Sequence, residues 1–421
     1  MTGNKKVWIT LPSLLILSLA LYIWATPPSC TVFNLGKPAV DSTLIRLQAD
    51  FLPFEEEIEN KFDSCGSPGA AVVIIKDTSL VFMRGYGVKL AGGNDSVDIH
   101  TTFRLGSVSK GFAAVVSAML VKKGYFSFDD KLTAYLPELK LSSQEQTERI
   151  TVRNILSHTT GLLRHSYTTL IERGWSIDSI EAQLNTVPLA GKEGEVFAYQ
   201  NAAYSLIEKV IKKTTGMEYP DILNGQIFRK AGMDDASCSY EGITGRADKA
   251  FPHVPVSATK FKGTPITAKY YNSVSSGGVN ASISDMGIWL KLLMGHYPRV
   301  VKKESLDPIF EPVINTKNEV RIFRRSTGTE DTWYAMGWRV IDYDGRRYIY
   351  HGGYVNNYRA EIAFDREAGI GICALFNAPC GFSNTIIRDF FDYYNQIRPL
   401  TNPEIIAHTN YTGEKQKHEQ D

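Results

Sequence analysis

Ser107 and Lys110, three positions apart in Ser107-Val108-Ser109-Lys110, have the residue types needed for nucleophilic acyl transfer. A serine hydroxyl attacks a carbonyl poorly unless a neighbouring base takes its proton as it does so. On a helix, side chains three apart share a face, which brings the Lys110 amine within hydrogen-bond reach of the Ser107 oxygen. The start of a helix adds free N–H groups and positive potential that stabilise negative charge developing there. The lysine can serve as base only if burial or nearby cations hold its pKa down. The same spacing recurs in Ser257-Ala258-Thr259-Lys260, but Gly263 and Pro265 follow where a helix needs an apolar repeat. After Ser107 that repeat is present. Phe112, Val115, Val116, Met119 and Leu120 predict a one-faced helix over about 107–123, with Ser107 in its first turn. Taken alone, the pair is also what an ordinary helix-start serine followed by a solvated lysine looks like.

Other segments narrow the choice. With its flanks Phe103-Arg104-Leu105-Gly106 and Gly111-Phe112, the Ser107 motif resembles the nucleophile motif of the serine β-lactamase and penicillin-binding-protein superfamily, in particular its class C-like branch. Further segments stand in that family's order. They are Asn154-Ile155-Leu156-Ser157-His158-Thr159-Thr160-Gly161-Leu162, Tyr199-Gln200-Asn201, Ser276-Gly277-Gly278-Val279-Asn280, Gly337-Trp338 and His351-Gly352-Gly353. The resemblance spans about residues 44–397. Tyr-x-Asn recurs at Tyr270, Tyr354 and Tyr393, but Tyr199 alone follows a Gly-containing loop and opens an apolar-periodic helix.

The resemblance implies an α+β, β-lactamase-like fold: a central antiparallel sheet flanked by helices, with an inserted mainly helical domain. It also implies roles. Ser107 attacks a carbonyl, Lys110 accepts its proton, and Tyr199, held near Lys110 and His351, relays a proton to the leaving group. Asn201 donates its amide to the substrate. The backbone N–H groups of Ser107 and of Tyr354, just past Gly353, form an oxyanion hole. His158 reads as structural. No cofactor or metal is needed. One departure bears on substrate: where the family has Lys-Thr-Gly, His351 is mostly neutral near pH 7 and Gly352 has no side chain, so recognition of a β-lactam carboxylate is in question. The readings that follow are a class C-like hydrolase of a β-lactam or related amide or ester, a D-amino-acid peptidase (DD-carboxypeptidase) or carboxylesterase on the same scaffold, and a non-catalytic penicillin-binding sensor. Absence of a Gly-x-Ser-x-Gly elbow argues against an α/β-hydrolase.

The elements that must hold these residues can be read from the rest of the chain. Its 421 residues, 43% hydrophobic and 22% charged, suffice for a full core, and a net charge of +1 offers no field for nucleic acid. Lys5 and Lys6 precede a charge-free apolar run over 7–25, which predicts a signal-anchor within residues 1–28, favoured over a long signal peptide because Pro27 and Pro28 stand where a small-residue cleavage site is wanted. The basic pair then stays in the cytoplasm and the rest lies on the periplasmic or extracellular side. A linker at 29–43 leads to the catalytic domain at 44–400, its α/β part at about 44–124 and 260–400 and its helical part at about 125–259. A polar tail fills 401–421. Helix is expected at 53–62 and 385–397, and strands at 69–75, 80–86, 335–341, 348–350, 359–364 and 370–376. The five cysteines make no zinc-site spacing, and their odd number excludes a complete disulfide framework. The expected partners are a small-molecule substrate and, through the N-terminal segment, a membrane.

Overall fold

Eight strands form one antiparallel sheet: β1 (Gly69–Lys76), β2 (Ser79–Gly87), β3 (Ile314–Asn315), β4 (Thr329–Tyr334), β5 (Arg339–Tyr343), β6 (Arg346–Val355), β7 (Tyr358–Asp365) and β8 (Ile370–Phe376). Their order is β2-β1-β8-β7-β6-β5-β4-β3, so the N-terminal hairpin pairs with the last strand and the two ends of the chain share a sheet. The computed structural model describes residues 42–257, 259–316 and 328–398. The expected anchor, nearly all of the linker and the tail lie outside the described residues. The chain divides into two compact units, Met1–Ile45 and Arg46–Asp421, and the account below concerns the second.

Local sequence explains the hairpins. Asp344-Gly345 and Asn356-Asn357 each place two successive residues at positive φ, the turn whose twist matches paired strands and which Asp, Asn and Gly tolerate best. β1, nearly unbroken in apolar residues, is buried on both faces. Val72 and Ile74 face one layer, where α1 (Ser42–Cys65) contributes Phe51, Phe54, Ile58 and Phe62. Ala71, Val73 and Ile75 face the other, with α2 (Ser109–Lys122). Between α2 and the late strands come a mainly helical stretch, in which α3 (Asn201–Thr215) is the longest helix, and then α4 (Ile283–Leu293). α5 (Ile386–Ile397) closes the first layer through Phe390 and Phe391. Among the described residues no helix is long and apolar enough to cross a membrane.

Four local expectations are corrected. The helix expected at 53–62 extends over Ser42–Cys65 and runs through Pro53. The helix after Ser107 is enclosed on all sides, every residue from Ser109 to Leu120 being buried, because it lies between the sheet and the helical stretch. Phe112 stacks on Trp289 of α4 at 3.8 Å between ring centres. The strand expected at 335–341 starts only at Arg339, since Gly337 at φ +75° turns the backbone and Ala335 N–H donates to Trp338 O at 2.8 Å. β4 was not foreseen, its Thr-Glu-Asp-Thr opening lacking apolar alternation.

Candidate active site

Ser107 lies in a tight turn, Gly106–Val108, just before α2. It is therefore ahead of the helix rather than inside its first turn, a second adjustment to the expected geometry. Gly106 sits at φ +52°, and a Cβ there would lie 2.8 Å from Tyr354 N. Gly353 is held as tightly from the other side: a Cβ on it would come 2.0 Å from Leu105 O and 3.1 Å from Val108 N. Two glycines thus let β6 press its backbone against the Ser107 turn. β6 pairs with β5 only as far as Tyr350 opposite Arg339, yet with β7 as far as Val355 opposite Tyr358. His351–Val355 accordingly has strand pairing on one edge, with Tyr354 N beside the Ser107 turn. The Tyr354 side chain is exposed and donates to Asn357 Oδ1 at 2.9 Å.

Lys110, the second residue of α2, is fully buried, so its charge is cut off from solvent. Its Nζ contacts Asn201 Oδ1 at 2.7 Å, Ser276 O at 2.8 Å and Ser107 Oγ at 3.5 Å. Asn201 opens α3 and Ser276 lies in the Ser-Gly-Gly segment, so three separated stretches converge on one amine. Burial, and secondarily the charge of Arg339, hold the Lys110 pKa well below the usual lysine range. The rings of Tyr199 and Tyr204, 4.8 and 5.3 Å from Nζ, attract the ammonium and partly oppose that shift. Two of the three partners can only accept. A neutral amine donating to both therefore turns its lone pair to the Ser107 hydroxyl, and an ammonium finds an acceptor for each proton. The site accommodates both protonation states of a general base.

The Tyr199 phenol lies close enough to the Ser107 side chain for the two to interact. Burial pushes its phenol up to about 12, against the opposing effects of Ser107, Arg339 and Arg164, so near neutral pH Tyr199 carries a proton it can give. His158, at φ +60° and 1% exposed, accepts the Gln200 N–H on Nδ1 at 3.2 Å and packs its ring 4.2 Å from that of Tyr199. Burial first, then the charge of Lys110, keeps it neutral, and it fixes the Tyr199-Gln200-Asn201 loop. Asn201 uses one amide hydrogen on Tyr270 Oη at 3.1 Å, leaving the second for any donation to substrate.

His351 is buried and held neutral by burial and then by the charges of Arg339 and Lys110. Its Nδ1–H donates to Gly352 O at 2.8 Å, and its Nε2 accepts from the Tyr334 hydroxyl at 3.2 Å. Its ring centre is 6.4 Å from that of Tyr199. The structure thus gathers Ser107, Lys110, Tyr199 and Asn201 into direct contact and puts Tyr334 on His351. Gly352 has its own explanation. A Cβ there would lie 2.7 Å from Tyr350 Oη and 2.8 Å from Glu361 Oε2. Those two groups are bonded to each other at 2.8 Å, and Arg359 pairs with Glu361.

Two residues of the site escaped the sequence reading. Tyr334 sits on the unforeseen β4. Arg339 opens β5 directly after Gly337-Trp338, and its position in an otherwise apolar stretch was the available signal. The Arg339 guanidinium lies 5.4–6.0 Å from the ring centres of Phe197, Tyr199 and Tyr334. Its Nη1 is enclosed without a hydrogen-bond partner, and no carboxylate pairs with it among the described residues. Ser257 and Lys260 instead stand between two short paired strands, His253–Pro255 and Phe261–Gly263, with Ser257 N–H donating to Lys260 O at 3.1 Å. No group of three His, Cys, Asp or Glu side chains among the described residues is placed to hold a metal.

A family model described as Beta-lactamase matches residues 54–386. In sequence the chain is similar to unguisins hydrolase ungD' of Aspergillus campestris, 25% identical over 342 residues that make up 77% of this chain and 61% of that protein. It is similar also to Protein flp of Staphylococcus aureus (strain COL), 21% identical over 366 residues, 84% of this chain and 66% of that one. The chain spans about three-fifths to two-thirds of the length of these curated relatives. In structure it resembles the octameric penicillin-binding protein homologue from Pyrococcus abyssi, with a TM-score of 0.69, 23% identity, and coverage of 80% of this chain and 76% of that one. It resembles equally a β-lactamase/D-alanine carboxypeptidase from Yersinia pestis complexed with citrate, TM-score 0.69, 18% identity, covering 85% and 99%. At these identities the structural likeness establishes the fold.

Proposed function

The chain belongs to the beta-lactamase family, and from that membership we propose that it is a serine hydrolase working through an acyl-enzyme on Ser107. The observation that carries this reading is the Lys110 amine, buried, held by two carbonyl acceptors at 2.7 and 2.8 Å, with its third direction toward Ser107 Oγ. Lys110 takes the Ser107 proton as Oγ attacks the carbonyl carbon. The N–H groups of Ser107 and Tyr354 hold the resulting oxyanion. Tyr199 gives its proton to the departing nitrogen or oxygen and recovers one from Lys110, which leaves the amine neutral for attack by water on the acyl-enzyme. His351, neutral and fixed on Tyr334, positions the wall of the site.

We propose further that the substrate is an amide or ester bearing a carboxylate, bound by Arg339. A cation beside Tyr199 with no anionic partner among the described residues supports this, and it supplies the charge that His351 and Gly352 lack. A β-lactam and a peptide with a free C-terminus both carry such a carboxylate, and an uncharged ester gains no ion pair with Arg339. The test compares a chromogenic cephalosporin, a D-alanyl-D-alanine peptide and p-nitrophenyl acetate, each with wild type and Ser107→Ala. Turnover of a carboxylate substrate that vanishes in the variant supports the reading. Stable labelling by penicillin without turnover points to the sensor instead, and equal activity in both proteins rejects catalysis at Ser107.

Lys5, Lys6 and the charge-free run after them support placing this domain outside the cytoplasm on an N-terminal anchor. Protease digestion of intact cells, which should degrade the domain if it is exposed on that side, tests this directly.

A further inference from the structure

Four cysteines among the described residues carry free thiols, and two of these, Cys65 and Cys380, are neighbours. Cys65 ends α1, and Cys380 lies in the loop between β8 and α5, so they come from opposite ends of the domain. Both are partly exposed and pack at the edge of the same apolar layer. Their thiols are close enough for each to shift the ionisation of the other. The loop around Cys380 is built for a sulfur anion. Cys380 N–H donates to Ser383 Oγ at 3.1 Å, fixing the turn, and Ser383 N–H returns to Cys380 Sγ at 3.4 Å. Cys238 and Cys373, by contrast, are buried.

We propose that Cys65 and Cys380 close to a disulfide by thiol–disulfide exchange with a small-molecule disulfide such as oxidised glutathione, joining the end of α1 to the loop that leads into α5. The Cys380 thiolate attacks one sulfur of the external disulfide and expels one thiolate. Cys65 then loses its proton and attacks the Cys380 sulfur of the mixed disulfide, expelling the second. One S–S bond breaks and one forms. The external disulfide is reduced by two electrons, the two cysteines are oxidised, and their protons end on the two released thiols.

The ionisation of the pair favours that order. The neighbouring Cys65 thiol, together with the amides of Ser383 and Phe382, brings the Cys380 thiol down to about 7 against the opposing effect of burial. The same proximity and burial push Cys65 up. Cys380 is thus the attacking thiol and Cys65 the resolving one. The link lies in the α1/α5 layer, away from the Ser107 turn on the opposite face, so it acts on stability and leaves turnover unchanged.

The full chain is incubated with oxidised glutathione, the remaining thiols are blocked, and the protein is digested without reduction for mass spectrometry. A Cys65–Cys380 linked peptide is expected. It should be accompanied by a rise of several degrees in thermal midpoint that dithiothreitol reverses, as closing a loop across most of the chain requires. In Cys65→Ser, glutathione should remain on Cys380; in Cys380→Ser, Cys65 should be modified several-fold more slowly. Because either variant could disturb the layer, iodoacetamide labelling of the reduced wild type serves as a second readout, with Cys380 alkylated first. Separate glutathione adducts on both residues without a linked peptide, or a link from either residue to Cys30, overturns the proposal.

Discussion

Methionine in place of Arg339 keeps a long side chain among the rings of Phe197, Tyr199 and Tyr334 but removes the charge. Arg339 Cζ lies 6.0 Å from the Tyr199 ring centre and Lys110 Nζ 4.8 Å from the same point, so the two cannot be farther apart than the sum of these, 10.8 Å. At an effective dielectric constant of about 20, unit charges at that separation repel by about 1.5 kcal/mol, or about one pKa unit. The guanidinium lowers the Lys110 pKa. Its removal therefore raises that pKa and leaves less neutral amine at a given pH. Acylation requires the neutral amine, so its rate climbs with pH through the Lys110 pKa, and the climb should move to higher pH by about one unit in Arg339→Met. The assay is the pH profile of kcat/KM with p-nitrophenyl acetate, which has no carboxylate and so isolates the effect on the base. Arg339→Lys retains the charge and should leave the profile near that of the wild type. With a carboxylate-bearing ester, Arg339→Met should lose a further ~10–100-fold, the worth of a hydrogen bond to a charged group. A profile that stays in place in Arg339→Met, or moves as far in Arg339→Lys, refutes the electrostatic coupling.

Tyr199→Phe removes the proton donor, so hydrolysis of an amide should fall by about 10²–10⁴-fold. A p-nitrophenyl ester, whose leaving group needs no proton, should lose far less, and the ratio of the two rates is the measurement. Gly352→Thr, which restores the family's hydroxyl, drives a Cβ onto Tyr350 Oη and Glu361 Oε2. It should cost about 1–3 kcal/mol, read as a lower urea midpoint, without improving cephalosporin turnover. Gly353→Ala brings a Cβ 2.0 Å from backbone Leu105 O, so the Ser107 turn must shift. Its kcat/KM should fall by two orders of magnitude or more, while circular dichroism reports a retained fold.

The sheet was legible where sequence and burial coincide. β1 and β8 are nearly unbroken apolar runs buried on both faces, and both match strands expected from the sequence at 69–75 and 370–376. The Ser107 motif, Tyr199 and Asn201 could be singled out because the helix that follows each motif and the order of the family-like segments set them apart from other copies of the same short spacings. Other features depend on contacts far apart in the chain. Only the fold brings Asn201 and Ser276 to Lys110, or packs α2 on every side so that its lysine is dried. β4 carried no apolar alternation, which hid Tyr334 and with it the partner of His351. Arg339 was visible as a basic residue after Gly337-Trp338, but its lack of an anionic partner among the described residues is a property of the assembled site. Gly352 appeared as a departure from a motif until Glu361 and Tyr350 were seen to fill the space a side chain would need.

Mass spectrometry of the intact chain during turnover of a slow carboxylate substrate, with peptide mapping of the trapped species, tests the acyl-enzyme most directly. The mechanism requires a single adduct of one acyl group on Ser107, absent in Ser107→Ala and accumulating far more slowly in Lys110→Met. An adduct on another residue, or one of equal yield in Ser107→Ala, would contradict it.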